Sequence, residues 1–222
     1  REAKRLGLKP DDVTNLALWG IPGGIIGSKL VHVIDQLSYY LANPGKIISG
    51  EGQAIYGAIL GGAVAAWIGS QVHRIPFRKF ADLFAPGLII AQAIGRLANI
   101  VNGDATGKPT DLPWAFTYTN PDTYAPQGVP THPSPVYEIV WDLIVLAIVL
   151  RLRGRLRPDG SLFVLYLALY SVGRFFITFT RVNNPWLFGL VQAQLIALLI
   201  LLVAVPWLVA RAHWVKKEAL GS

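Results

Sequence analysis

Six stretches of the chain, 13–34, 54–72, 80–101, 135–150, 161–179 and 190–209, are apolar over all or most of the length needed to cross a bilayer. A spanning helix takes about 20 mostly apolar residues for roughly 30 Å of hydrocarbon. In lipid, every backbone N–H and C=O must be bonded within the protein, so isolated runs of this kind have to be helices. The pattern predicts an all-α polytopic membrane protein with about six transmembrane helices, residues 1–222 forming a single membrane-embedded domain. Pro22, Gly23 and Gly24 interrupt the first run, and Gly57, Gly61 and Gly62 in the second predict a close approach between helices.

The charges orient the set. Only 15% of residues are charged, against roughly a quarter in soluble domains. Basic side chains cluster at alternate connections: Arg1, Lys4, Arg5 and Lys9; Arg74, Arg78 and Lys79; Arg151, Arg153, Arg155 and Arg157; Arg211, Lys216 and Lys217. These are fourteen of the twenty Lys and Arg residues, and the positive-inside rule makes their side cytoplasmic, with both visible ends facing inward. The net charge of +7 therefore reflects membrane topology and not a nucleic-acid surface, which would gather basic residues on a polar face. The opposite side holds the connections 41–53, 102–131 and 181–189. The segment 102–131, rich in Pro, Asp, Thr and aromatics (Trp114, Phe116, Tyr118, Tyr124), is expected to form a small ordered extracytoplasmic cap. Without cysteine, the chain offers no thiolate nucleophile or disulfide.

Charged groups inside spans are costly and usually functional. Arg96 lies near the outer end of the third run, with Asn99 and Asn102 at i+3 and i+6 on the same helical face. Arg174 lies in the fifth, with Tyr170 at i−4. Two guanidiniums that keep their protons, accompanied by amides and a phenol, suit a phosphate held at membrane depth. The structural alternative pairs each arginine with Asp104, Glu138 or Asp142 to fix helix packing. Lys29, in the first run, reads as structural, snorkelling or pairing with Asp35.

The segment Gly95-Arg-Leu-Ala-Asn-Ile-Val-Asn-Gly-Asp-Ala-Thr-Gly107 resembles the G-R-x-x-N-F-x-N-x-E-x-x-G signature of the prolipoprotein diacylglyceryl transferase family. Ile100 stands for its phenylalanine and Asp104 for its glutamate. The likeness continues through Leu41-Ala-Asn-Pro44, Lys108-Pro-Thr-Asp-Leu-Pro-Trp114, His132-Pro-Ser-Pro-Val-Tyr-Glu138 and Tyr170-Ser-Val-Gly-Arg-Phe-Phe-Ile-Thr-Phe-Thr-Arg181, in family order over nearly the whole chain. It implies a seven-span fold whose first span precedes Arg1, in a bacterial plasma (inner) membrane.

The resemblance also implies the chemistry: a diacylglyceryl group passes from phosphatidylglycerol to the lipobox cysteine of a prolipoprotein signal peptide, releasing glycerol phosphate. The partners are then phosphatidylglycerol, the signal peptide and membrane lipid, without nucleic acid, cofactor or metal. Arg96 and Arg174 match family arginines that would hold the lipid phosphate and neutralise the departing one. Asn99, Asn102, Tyr170 and Tyr137 would contact the headgroup, Glu138 would orient an arginine, and Gly107 would allow a tight turn. The thiol proton, from a group of pKa about 8.5, needs an acceptor. The family usually carries histidine where this chain has Tyr56, and an ordinary phenol is protonated at neutral pH. Tyr56, Asp104 or the lipid phosphate are the candidates. His132 could fill the base role, although the His-Pro-Ser run reads better as a helix start. Thr178 replaces a family glutamate. The alternatives to a transferase are a catalytically silent homologue that binds phospholipid or lipoprotein and, less favoured, a membrane transporter.

Overall fold

The computed structural model describes residues 2–48, 50, 52 and 54–215. Arg1, Lys216 and Lys217 of the basic clusters, and Gln53 at the end of the 41–53 connection, lie outside the described residues. The chain falls into two compact units, Arg1–Phe80 and Ala81–Ser222.

In the first unit a short helix α1 (Glu2–Arg5) leads to α2 (Pro10–Asp35), which Pro10 opens and the Asp12 carboxylate caps by accepting from Lys9 N at 3.1 Å. Helix α3 (Leu37–Ala42) and a 3₁₀ turn (Pro44–Ile48) connect it to α4 (Ile55–Val72). α2 and α4 pack backbone to backbone along glycines, as the small residues predict. A Cβ on Gly61 would lie 2.8 Å from the Gly27 Cα, and one on Gly27 would lie 2.8 Å from the Gly61 Cα. The contacts of Lys29 among the described residues are with Tyr40 and Lys46. Its ammonium donates to the Tyr40 hydroxyl at 3.3 Å and the Lys46 carbonyl at 3.1 Å, and lies over the Tyr40 ring.

The second unit is built on α5 (Phe77–Asn102, from Ala81 onward), α6 (Ser134–Leu152), α7 (Ser161–Ile177) and α8 (Gln192–Arg211). α5 stops at Gly103, whose φ of 70° supplies the left-handed residue that ends many helices. The start of α7 is capped from another helix: Asp82 of α5 accepts from Gly160 N at 2.7 Å and Phe163 N at 2.9 Å. Ala85, Ile89, Val145, Val149, Leu162 and Tyr166 from α5, α6 and α7 form a closed apolar core. Beyond α8 the chain returns so that β4 (His213–Trp214) pairs antiparallel with β3 (Leu156–Arg157).

Among the described residues, five helices are long and apolar enough to cross a membrane: α2, α4, α5, α7 with its 3₁₀ extension to Thr180, and α8. Their apolar stretches are little buried by protein, only 17% of residues in that of α8, which leaves lipid to cover Leu199, Leu202 and Val203. The chain is a multi-pass membrane protein. The remaining expected span, α6, is 19 residues long but carries Glu138, Asp142 and Arg151, and both of its acids are buried.

The segment 102–131 carries short strand pairings. β1 (Phe116–Thr117) pairs antiparallel with β2 (Pro130–Thr131), and bridges join Pro109 to Thr131 and Tyr118 to Gln127. Trp114 Nε1 donates to the Tyr137 hydroxyl at 2.8 Å, tying this cap to α6.

Candidate functional site

The core residues of α5, α6 and α7 lie seven to twelve positions from Arg96, Glu138 and Arg174 on the same helices. At 1.5 Å per residue this separates an apolar plug from a charged cluster by roughly 10–18 Å along the same interface. In that cluster one carboxylate serves three guanidiniums. Arg174 Nη1 donates to Glu138 Oε1, Arg181 Nη1 approaches the same oxygen at 3.3 Å, and Arg96 Nε lies 2.6 Å from Oε2, off the axis of a hydrogen bond. Glu138 is 5% exposed, and the three arginine side chains 13–22%. In so sheltered a place, charges interact more strongly than at an open surface.

A second arm extends from Arg96. Its Nη1 donates to Asn99 Oδ1 at 2.9 Å, and Asn99 Nδ2 donates to Asp104 Oδ1 at 2.6 Å. The amide thus hands one hydrogen-bond chain from guanidinium to carboxylate. Burial, with Asp104 nearby, holds the Tyr118 phenol in the cap above its usual pKa. The Arg181 guanidinium is pushed the other way, down from its usual value, chiefly by burial and then by Arg174, with Glu138 opposing. Its Nε is buried without a hydrogen-bond partner among the described residues.

The structure brings Arg96, Arg174, Glu138, Asn99 and Asp104 into one network and adds Arg181. The sequence quoted Arg181 within a motif but placed it only in a connecting loop. Its signal was spacing: Arg181 follows Arg174 by seven residues, two helical turns on the same face. The acid offered by the structural alternative is present too, since Glu138 pairs with both expected arginines. Thr178, one turn from Arg174, buries its hydroxyl against the Arg174 carbonyl at 2.5 Å and adds no charge.

Among the described residues, the other expected side chains of the second unit make no hydrogen bond to this network. The Asn102 side chain is exposed, and only its carbonyl is used, by Tyr124 N at 2.9 Å. Tyr170 stacks near Tyr166, with centroids 6.3 Å apart, and makes no hydrogen bond to Arg174. Tyr137 takes the Trp114 bond and lies 3.4 Å from His132 Nδ1. His132 immediately precedes Pro133, the N-cap of α6, in keeping with a helix start. Tyr56 sits in the first turn of α4 in the first unit.

Gly107 departs from expectation. The left-handed backbone lies at Gly103 and Ala105, whereas Gly107 keeps an ordinary φ. It bridges Arg181, and a Cβ there would strike the backbone and side chain of His132. Lys108 N donates to the Thr180 carbonyl at 2.7 Å and Val182 N to the Thr106 carbonyl at 3.3 Å, so the start of the cap is sewn to the Arg181 segment. Gly107 serves close approach, not a turn.

A sequence profile described as prolipoprotein diacylglyceryl transferase matches residues 1–210. Curated relatives carry the name phosphatidylglycerol–prolipoprotein diacylglyceryl transferase. One from Dehalococcoides mccartyi is 43% identical over 94% of this chain and 80% of its own length. Another from Clostridioides difficile is 39% identical over 90% and 78%. A third from Streptomyces coelicolor, whose name ends in 2, is 37% identical over 93% and 68%.

Proposed function

The chain belongs to the prolipoprotein diacylglyceryl transferase family, and we propose that its Glu138 cluster is where phosphatidylglycerol gives up its diacylglyceryl group to a lipobox cysteine. The enzyme catalyses the first step of lipoprotein maturation. The observation that carries the site assignment is three guanidiniums around one directly paired carboxylate, sheltered from water and near the outer ends of three helices.

The reaction sets the requirements. The cysteine sulfur attacks the glyceryl carbon that bears the phosphate ester; an S–C bond forms, the C–O bond breaks, and the electron pair leaves with glycerol phosphate. The phosphodiester carries one negative charge, and the departing monoester carries a second. Charge therefore develops on phosphate oxygen in the transition state, where fixed guanidiniums stabilise it without reorganising. Arg96, Arg174 and Arg181 supply that field. Glu138 holds them apart at set positions and prevents three like charges from splaying. Asn99 keeps the Asp104 carboxylate oriented as an acceptor, and we assign to it the thiol proton. Asn102, Tyr170, Tyr137 and His132 are candidates for headgroup contacts, and Tyr56 of the first unit is a candidate for positioning a lipid oxygen.

The basic connections 74–79 and 151–157 support an orientation with those loops in the cytoplasm of a bacterial inner membrane and the cap outside. That is the side on which a lipobox emerges from the bilayer. Family membership weighs against a transporter, and the silent-homologue alternative is what the assay addresses. Purified protein in phosphatidylglycerol vesicles should add a diacylglyceryl mass to a lipobox peptide and release glycerol phosphate. A peptide that stays unmodified, while a relative modifies it under the same conditions, refutes the enzyme reading.

A further inference from the structure

The connection between the last two helices contains a closed turn. Trp186 N donates to the Leu190 carbonyl at 2.8 Å, Leu187 N to the same carbonyl at 3.1 Å, and Leu190 N back to the Leu187 carbonyl at 2.9 Å. Both central residues are left-handed, Phe188 with φ 51° and Gly189 with φ 74°. A turn of this type favours asparagine, aspartate or glycine at the first of those positions, and a bulky side chain there is an outlier. Phe188 gains no burial in exchange: it is 88% exposed, and Trp186 is 71% exposed. A large ring is thus held in a strained backbone position and packed on nothing among the described residues. Here the three hydrogen bonds of the turn hold the strained conformation, and strain of this kind clusters at functional positions.

We propose that this turn is a membrane wedge, which sets Trp186 and Phe188 into the interfacial layer of the adjoining leaflet and holds the segment carrying Arg181 at headgroup depth. The span of α7 ends at Thr180 and α8 begins at Gln192. Phe188 is four residues from Gln192, so even a fully extended chain keeps it within about 14 Å of that helix end. The interfacial layer on each side of the hydrocarbon is roughly 5–8 Å deep, and tryptophan partitions to it because its ring has an apolar body and a polar N–H. Lipid is the one partner that both flanking helices already guarantee at this place. The hydrogen bonds of Thr180 and Val182 with Lys108 and Thr106 fix Arg181 to the start of the cap, so a wedge five residues further on would set the depth of cap and arginine together.

The consequence for Arg181 rests on the site reading above, but the wedge is tested without substrate turnover. The chain lacks cysteine, so a single label is clean. Full-length Phe188→Cys, carrying an environment-sensitive fluorophore, is placed in vesicles of phosphatidylcholine and phosphatidylglycerol. Spin-labelled lipids with the label in the headgroup or high on the acyl chain should quench it at least threefold more than aqueous iodide does. Stronger quenching by iodide, or protection from both quenchers, overturns the proposal in favour of water or a protein neighbour. Phe188→Gly separates anchoring from folding. Its thermal unfolding should match or exceed that of wild type, because glycine adopts this φ freely, while a label at Trp186→Cys should lose at least half its lipid quenching. Earlier unfolding, or undiminished quenching, would show that Phe188 is not the wedge.

Discussion

Glu138→Gln tests the hub of the cluster. The substitution keeps shape and removes the charge that Arg96 meets at 2.6 Å and Arg181 at 3.3 Å, with Arg174 on the same oxygen as Arg181. Two unit charges about 4 Å apart interact by roughly 4 kcal/mol at an effective dielectric of 20. Removing one partner of a buried pair typically costs about 3–5 kcal/mol, much of it the uncompensated charge left behind. Because the arginines retain some contact with water, the lower end, near 3 kcal/mol, is the expected loss. Thermal unfolding in detergent should then fall on the order of 10 °C for a chain of this size. The informative variant is the double substitution Glu138→Gln with Arg181→Gln, which removes one of the mutually repelling cations. It should be less destabilised than the sum of the two single changes by at least about 1 kcal/mol. Unfolding of Glu138→Gln within a degree of wild type, or strict additivity in the double variant, would refute the picture of one carboxylate balancing three guanidiniums.

Arg96→Gln and Arg174→Gln should each lower transfer at least about tenfold with folding retained, since charge-assisted bonds contribute roughly 1.5–3 kcal/mol; full activity in either variant returns that arginine to a packing role. Cysteines at Arg155→Cys and Thr123→Cys should react with an impermeant reagent from opposite sides of the membrane, and labelling from one side would break the topology. Gly107→Ala should disturb the seam between the cap and Arg181, lowering transfer and raising proteolysis of the cap, because His132 occupies the space a Cβ needs; an unaffected cap would show that the seam yields. Tyr56→Phe should reduce transfer by no more than about tenfold, the equivalent of one hydrogen bond, and Tyr56→His should preserve or raise it near pH 7; loss of all activity in the phenylalanine variant would make the phenol the proton acceptor.

Much of this architecture was legible in the sequence because hydrocarbon leaves the backbone so few options. Apolar length fixed where helices run, and the glycines of α2 and α4 announced their contact before any coordinate did. What escaped depended on which side chains meet between helices. Arg96 and Arg174 stood out as charges in apolar runs, yet their common partner could be any of three acids until α5, α6 and α7 were set side by side. Arg181 escaped because it follows the end of a span, where an arginine needs no special explanation. Only the seven-residue step from Arg174 hinted that it turns back into the same interface. Gly107 misled for a related reason. Glycine is needed either for a left-handed backbone or for close approach, and one sequence does not say which; here Gly103 and Ala105 take the turn and Gly107 takes the contact.

Two of the departures that the resemblance implies, at positions 178 and 56, bear on different halves of the proposed reaction. A glutamate at position 178 would lie one turn from Arg174 and could share the guanidiniums with Glu138, but Thr178 spends its hydroxyl on its own helix. On the proposed site reading, the paired arginines therefore keep more of their positive charge for an anionic headgroup. At position 56, an imidazole that can accept a proton near neutral pH is replaced by a phenol. On the same reading, the protein would keep its means of stabilising the leaving phosphate while lacking a ready base for the incoming thiol. Catalysis would then lean on the substrate's own ionisation, with a free thiol pKa of about 8.5, and on the acceptor role proposed for Asp104, which Asn99 holds. Restoring histidine at position 56 should therefore help most near pH 7, between the imidazole pKa of about 6.5 and the thiol pKa of about 8.5, and least near pH 9, where thiolate is already abundant.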